Sequence, residues 1–178
     1  MDRRIKRTKN AVFNAMINLM IEKDVSKITV LELCKRADIN KSTFYLHYRS
    51  IDDCMQKCFQ AIMNGVIDIS KRVNYEEIRR NPEKVIDPII DEICKNSDYF
   101  CKFKKSRICG DSIKMLKENL VKNIAAHNGF DEENNYYEIA NITFAVAGFF
   151  DVIIAMLPNI NKEIVSKSIC TMIRSHNI

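Results

Sequence analysis

The sequence contains no Trp and only 4 Gly, 3 Pro and 3 His. With so few residues that break helices, and many Lys, Glu, Leu, Ile and Met, the chain reads as all-α. Its histidines stand at positions 47, 127 and 176. They form no Ser-His-Asp arrangement and no metal-spaced ligand set, and no Gly-rich phosphate loop is present. Catalytic residues, metal ligands and cofactors are therefore all expected to be none, and an enzyme is disfavoured. The 7 Cys are an odd number without a CxxC pair. The N-terminus "MDRRIKRTKN" is charged and has no apolar leader behind it, so free thiols in a reducing cytoplasm are expected. Cys54 and Cys58 lie one helical turn apart, with His47 nearby in sequence. Lacking further ligands, they read as small apolar core residues. The longest apolar run, Phe144 to Leu157, is short for a bilayer and carries Asp151. It reads as a helix buried in a protein core, and no membrane partner is expected.

The charge that is present is uneven. Residues 1–50 hold 11 Lys and Arg against 5 Asp and Glu, a net of +6, while the other 128 residues hold 17 against 18. A basic end joined to a near-neutral body suits a polyanion bound at that end, although a solvated basic face would show the same count.

Apolar spacing and capping residues divide the chain into helices. Val12, Ala15, Met16 and Leu19 mark a helix over 3–22 whose first turns carry Arg3, Arg4, Lys6, Arg7 and Lys9. Cations there oppose the helix dipole unless an anion sits near. "TVLE" reads as a capping box in which Thr29 accepts from the Glu32 backbone and Glu32 reaches back. Asn40 is expected to cap "KSTFYLHY", and Ser50 a fourth helix lined by Met55, Phe59, Ile62, Val66 and Ile69. A helix follows at roughly 82–96, "NSDYF" restarts the chain at Ser97 or Asp98, and a helix at 109–127 runs up to Gly129. Asp131 is expected to cap the longest helix, which Pro158 stops, and Asn161 the last. The longest helix has apolar residues on two faces. One face can pack on its own chain, and a second copy of the protein is the simplest cover for the other. Ala145, Ala147 and Gly148 would allow close approach.

Two short helices joined by Asp38-Ile39-Asn40 make a helix-turn-helix, whose second helix enters the DNA major groove. Small Ser42 and Thr43 can reach base edges, and Lys41 guanine or phosphate. Tyr45, His47 and Arg49 can bond flanking phosphates. Phe44 and Leu46 are expected to point inward as anchors.

Residues 9–54 resemble the DNA-binding domain of the tetracycline-repressor (TetR) family of bacterial regulators. Thr29, Val30, Leu33, Ala37, Ile39, Ser42, Phe44, Tyr45, His47 and Tyr48 stand where the family pattern has them. The resemblance implies a three-helix DNA-binding domain over 1–50 and a helical effector-binding and dimerisation domain over 51–178. It also implies a homodimeric regulator, usually a repressor, bound to double-stranded DNA at a pseudo-palindromic operator and tuned by a small-molecule effector. The implied DNA-binding set is Thr29, Lys41, Ser42, Thr43, Tyr45, His47, Tyr48 and Arg49. Phe100, Phe103, Met115, Phe144 and Phe149 are candidates for an effector pocket, and Ala145, Gly148, Val152, Ile169 and Ile173 for the dimer face. The alternative is a DNA-binding adaptor of the same fold controlled by a partner protein. A body cavity of about 300 Å³ or more would favour the sensor, and a fully packed body the adaptor. The family usually has Gly where this chain has Asp24 and Asp38, so positive φ is expected at both. Ile51 replaces a common phosphate-contacting Lys.

Overall fold

A computed structural model describes residues 3–106 and 108–175. Among them there is no strand. The helices are α1 (Arg3–Glu22), α2 (Val30–Arg36), α3 (Lys41–His47), α4 (Ile51–Ser70), α5 (Tyr75–Arg80), α6 (Glu83–Lys95), α7 (Ser97–Phe103), α8 (Cys109–Asn128), α9 (Tyr136–Met156) and α10 (Lys162–Ser175). Contacts divide the chain into two compact units. One runs up to Ala61 and includes Asp98–Cys109; the other takes Ile62–Ser97 and everything described from Gly110 on. Helix α4 thus gives its first half to one unit and its second half to the other.

In the first unit, α1 buries Val12, Ala15, Met16, Leu19 and Met20, the periodic stripe legible in sequence. Its basic first turn stays exposed and holds no acidic residue. Aromatic rings complete this core. Phe59 of α4 stacks on Phe103 of α7 at 4.5 Å between centroids, and Tyr99 stacks on Phe103 at 5.6 Å. The buried Tyr99 hydroxyl donates to the Met55 carbonyl at 2.8 Å, so the ring's one polar atom is satisfied where burial would otherwise penalise it.

The second unit centres on Val73, Tyr75, Ile124 and Ile142, with Ile69, Ile78, Val85, Val121, Phe130 and Val146 packed around them. Asn128, at the end of α8, ties this centre together. Its Nδ2 donates to Val73 and Ile124 carbonyls at 2.9 and 2.7 Å, and its Oδ1 accepts from the Tyr75 N–H at 2.9 Å. Ser166 of α10 donates to Asp87 of α6 at 2.5 Å.

Several local expectations are corrected. Asp24 has φ −64° and ψ 138°, not a left-handed conformation. There the chain turns by opening a 3-10 turn over Val25–Lys27, with the Lys27 N–H bonded to the Asp24 carbonyl at 3.0 Å, which needs no positive φ. Asp38 does adopt φ 53°. The Thr29 cap forms at 3.3 Å, but Glu32 does not reach back; its carboxylate pairs with Lys23. Asp131 closes its own turn by accepting from the Glu133 and Asn134 N–H groups, and α9 starts only at Tyr136. Helix α5, capped by Asn74, was not expected; six residues are too few to show a period. Helix α9 has 21 residues and an 18-residue window of mean hydropathy 2.0, so by length and composition it could cross a membrane. Rather than lying wholly inside a core, it leaves Phe144, Val152 and Met156 exposed.

The two Asp positions provide a paired test of backbone strain. Asp38→Gly removes a left-handed penalty and should raise unfolding stability by up to about 1 kcal/mol, whereas Asp24→Gly should lower it by about 0.5 kcal/mol. Urea midpoints of the two variants should move in opposite directions.

Candidate functional site

The corner between α2 and α3 is built from backbone. The Ile39 N–H bonds the Cys34 carbonyl at 3.0 Å and the Asp38 N–H the Lys35 carbonyl at 3.4 Å. This pair of bonds around a left-handed residue is a Schellman ending, which stops α2 and redirects the chain. Asn40 then starts α3: its Oδ1 accepts from the Thr43 N–H and from the Ser42 hydroxyl, both at 2.7 Å.

Phe44 and Tyr48 set which way α3 faces. Both are buried, with ring centroids 5.2 Å apart. Lys41, Ser42, Tyr45 and Arg49 are exposed, and Thr43 and His47 are half-buried. Thr29, at the start of α2, is exposed as well. Two expectations change. Tyr48 is only 5 % exposed, so its ring belongs to the core and not to a DNA-facing surface. Burial pushes its phenol well above the ordinary range, with Cys54, Cys58 and Asp53 adding to the shift. Leu46 is 80 % exposed and anchors nothing. It lies two residues from Phe44, about 200° round the helix, and so faces away from the core.

A second network closes the corner into α4. Lys57 donates to the His47 carbonyl at 2.8 Å and to the Asp53 carboxylate at 3.0 Å. The same carboxylate oxygen accepts the Arg49 N–H at 2.8 Å, and the Asp53 N–H bonds Ser50 Oγ at 3.1 Å. Lys57 Nζ also lies 5.4 Å from the centre of the Tyr48 ring. Partial burial pushes the Asp53 carboxyl up, but the Arg49 N–H and Lys57 outweigh it and hold it below its ordinary value of 3.8.

In the second unit lies an apolar cavity of about 90 Å³. Its walls include Val66, Ile89, Leu120, Ile142, Val146 and Phe149. Among the described residues no charged side chain lines it, and Ser70 and Tyr75 bring the only side-chain hydroxyls. The Ser70 hydroxyl donates to the Ile67 carbonyl, and the Tyr75 hydroxyl accepts from Asn141. Of the five residues expected at a pocket, only Phe149 lines this cavity. Phe100 and Phe103 are buried in the first unit, against Phe59, while Met115 and Phe144 are 56 % and 61 % exposed. Of the five expected at a dimer face, Gly148 and Val152 are exposed. Ala145, Ile169 and Ile173 instead line the cavity of their own chain. The exposed apolar stripe on α9 is Phe144, Gly148, Val152 and Met156, and α10 presents Ile164 and Met172.

Residues 12–58 match the family described as bacterial regulatory proteins, tetR family. This segment of the chain is similar to the TetR family. An uncharacterized HTH-type transcriptional regulator, YxbF of Bacillus subtilis (strain 168), is 32% identical over 68 residues, covering 38% of this chain and 18% of that protein. The chain thus spans under a fifth of that relative's length. Among solved structures, the dihydroxyacetone kinase operon activator DhaS superposes with a TM-score of 0.68 at 13% identity, over 95% of both chains. A transcriptional regulator from Aquifex aeolicus VF5 gives 0.64 at 16% identity, over 95% of this chain and 99% of that one. At such identities the two structures show a shared fold.

The TetR-family segment ends at residue 58 and so includes Asp53 and Lys57, whose tie to α3 the sequence reading missed. An Asp and a Lys four residues apart on a helix ordinarily signal no more than a surface pair. The depressed Asp53 carboxyl contributes stability that is present above its ordinary pKa and is lost as pH falls through its lower folded value. Asp53→Asn should cost on the order of 1 kcal/mol at pH 7, and the difference from the parent should vanish under acid below that window, as read by urea unfolding across pH.

Proposed function

We propose that this chain is a TetR-family transcription regulator that binds double-stranded DNA as a homodimer through α3. One observation carries the reading: α3 is rolled so that Phe44 and Tyr48 are buried while Lys41, Ser42, Tyr45 and Arg49 are exposed. A helix held this way offers cations and hydroxyls to phosphates and base edges. The exposed basic first turns of α1 supply an anion-attracting surface at the same end of the sequence. Repression by occupancy of a pseudo-palindromic operator is the output that the family resemblance supports, with two copies of α3 reading half-sites one DNA turn apart.

Pairing of copies is supported by α9 and α10, which in one chain expose apolar residues at helical spacing. Phe144, Gly148, Val152 and Met156 recur every four residues, so they share one face. A small residue at its centre lets a second helix come close. A Cβ atom placed at Gly148 meets nothing within 4 Å beyond its own turn of helix. Gly148→Leu should therefore leave the monomer fold unchanged by circular dichroism while weakening the dimer by at least tenfold in sedimentation equilibrium. Val152→Glu should do the same. Variants that remain dimeric would remove α9 from the interface.

The 90 Å³ cavity bears on control. It is far smaller than the site of a drug-sized effector and holds no group to pair with a charged one. The apolar cavity therefore suits only a small uncharged apolar molecule. The same unit also carries an open hollow of about 420 Å³ walled by Tyr75, Glu76, Arg79, Asn128, Phe130 and Glu138. Its size and mixed lining support the sensor reading, so control by a partner protein stays the second reading.

The DNA reading is tested with the full chain and duplexes selected from a random pool. Binding should fall steeply with salt, and Lys41→Ala should reduce the slope of log affinity against log salt by about 1 per protomer. An unchanged slope, or binding indifferent to loss of both Lys41 and Tyr45, would overturn it. A reporter placed downstream of the selected duplex reads the sign of regulation.

A further inference from the structure

Helix α3 carries one residue that the polar reading of its surface does not use. Leu46 is 80 % exposed, more than any other large apolar residue described. Single exposed leucines are ordinary on a protein surface. What sets this one apart is its angular position. Phe44 and Tyr48 define the buried side of α3. At about 100° per residue, Leu46 lies roughly opposite that side, and Ser42 lies within about 40° of it. Ser42 and Leu46 are therefore the centre of the outward face, with exposed Tyr45 beside them. The Ser42 hydroxyl is held by the Asn40 cap, which leaves the Leu46 side chain as the projecting group at that centre.

An aliphatic group in the middle of a surface meant for a base-pair groove has one chemical complement there. Of the four bases, only thymine presents an apolar substituent to the major groove, its C5-methyl group. We propose that Leu46 is a specificity residue that reads a thymine methyl at one position of each DNA half-site. The inference rests on the proposed function and deepens it. It names part of the sequence recognised, where Lys41, Tyr45 and Arg49 supply position and charge. A side chain so exposed contributes little to the fold, so its replacement isolates recognition from stability.

The test uses the full-length protein and the duplex it selects from a random pool. Each thymine is replaced in turn by deoxyuridine, which removes the methyl and nothing else. Affinity is read by fluorescence anisotropy for the parent, Leu46→Ala and Leu46→Gln. The parent should lose about fourfold for each contacted methyl removed, the value of one buried methyl-sized group. Leu46→Ala should bind the thymine duplex about as weakly as the parent binds a duplex with uracil at both symmetry-related positions, and should not respond to uracil. Leu46→Gln should also lose the uracil response, and both variants should melt with the parent. A parent indifferent to uracil at every position overturns the inference alone, since selection itself would stand. So does a Leu46→Ala variant that keeps the parent's uracil response. Failure to select any duplex overturns the regulator reading and this inference with it.

Discussion

The burial of two rings, Phe44 and Tyr48, governs what this protein presents to its surroundings. They lie four residues apart, Phe44 within a short helix and Tyr48 as its C-cap, and pack 5.2 Å from each other. A seven-residue helix is not stable alone in water, so α3 exists because this pair is removed from solvent. Their burial also fixes its rotation about its own axis. Every neighbouring residue is then assigned to inside or outside by the 100° step of the helix. The Asn40 cap sets where α3 begins, and the left-handed Asp38 sets the angle at which the chain enters it. Lys57 fixes its far end by binding the His47 carbonyl.

The same economy shapes the body. Its helices meet around Tyr75 and Asn128, which put hydroxyl and amide groups among aliphatic side chains and satisfy them locally. What remains unfilled is a small space walled by aliphatic and phenyl groups. A space of that kind excludes ions because an unpaired charge there would be desolvated without compensation. Shape and dielectric together restrict what can enter, without any specific contact.

Much of this was legible beforehand, and the failures share a cause. Helix α1, the caps at Asn40, Ser50 and Asn161, and the stop at Gly129 follow from local chemistry, and they stand in the structure. The misplaced residues needed tertiary information. Leu46 was read inward because it is a leucine, although its spacing from Phe44 says otherwise. Phe100 and Phe103 were assigned to a pocket because they are aromatic, and only the fold shows them stacked with Phe59 and Tyr99. Ile169 and Ile173 were placed on a dimer face, yet their own chain uses them. Asp24 and Asp38 look alike in sequence and differ in φ, because α2 ends in a Schellman turn whereas α1 gives way to a 3-10 turn.

The first unit is discontinuous along the chain, and this constrains how the protein can be taken apart or made. Its core is closed by Tyr99, Phe100 and Phe103, which are synthesised some forty residues after the α4 side chains they cover. A nascent chain emerging from the ribosome therefore holds an incomplete head until α7 follows, with Phe59 bare in the interval. Gene fragments that stop after α4 would inherit that deficit permanently. Shuffling this head onto another body requires α7 to travel with it.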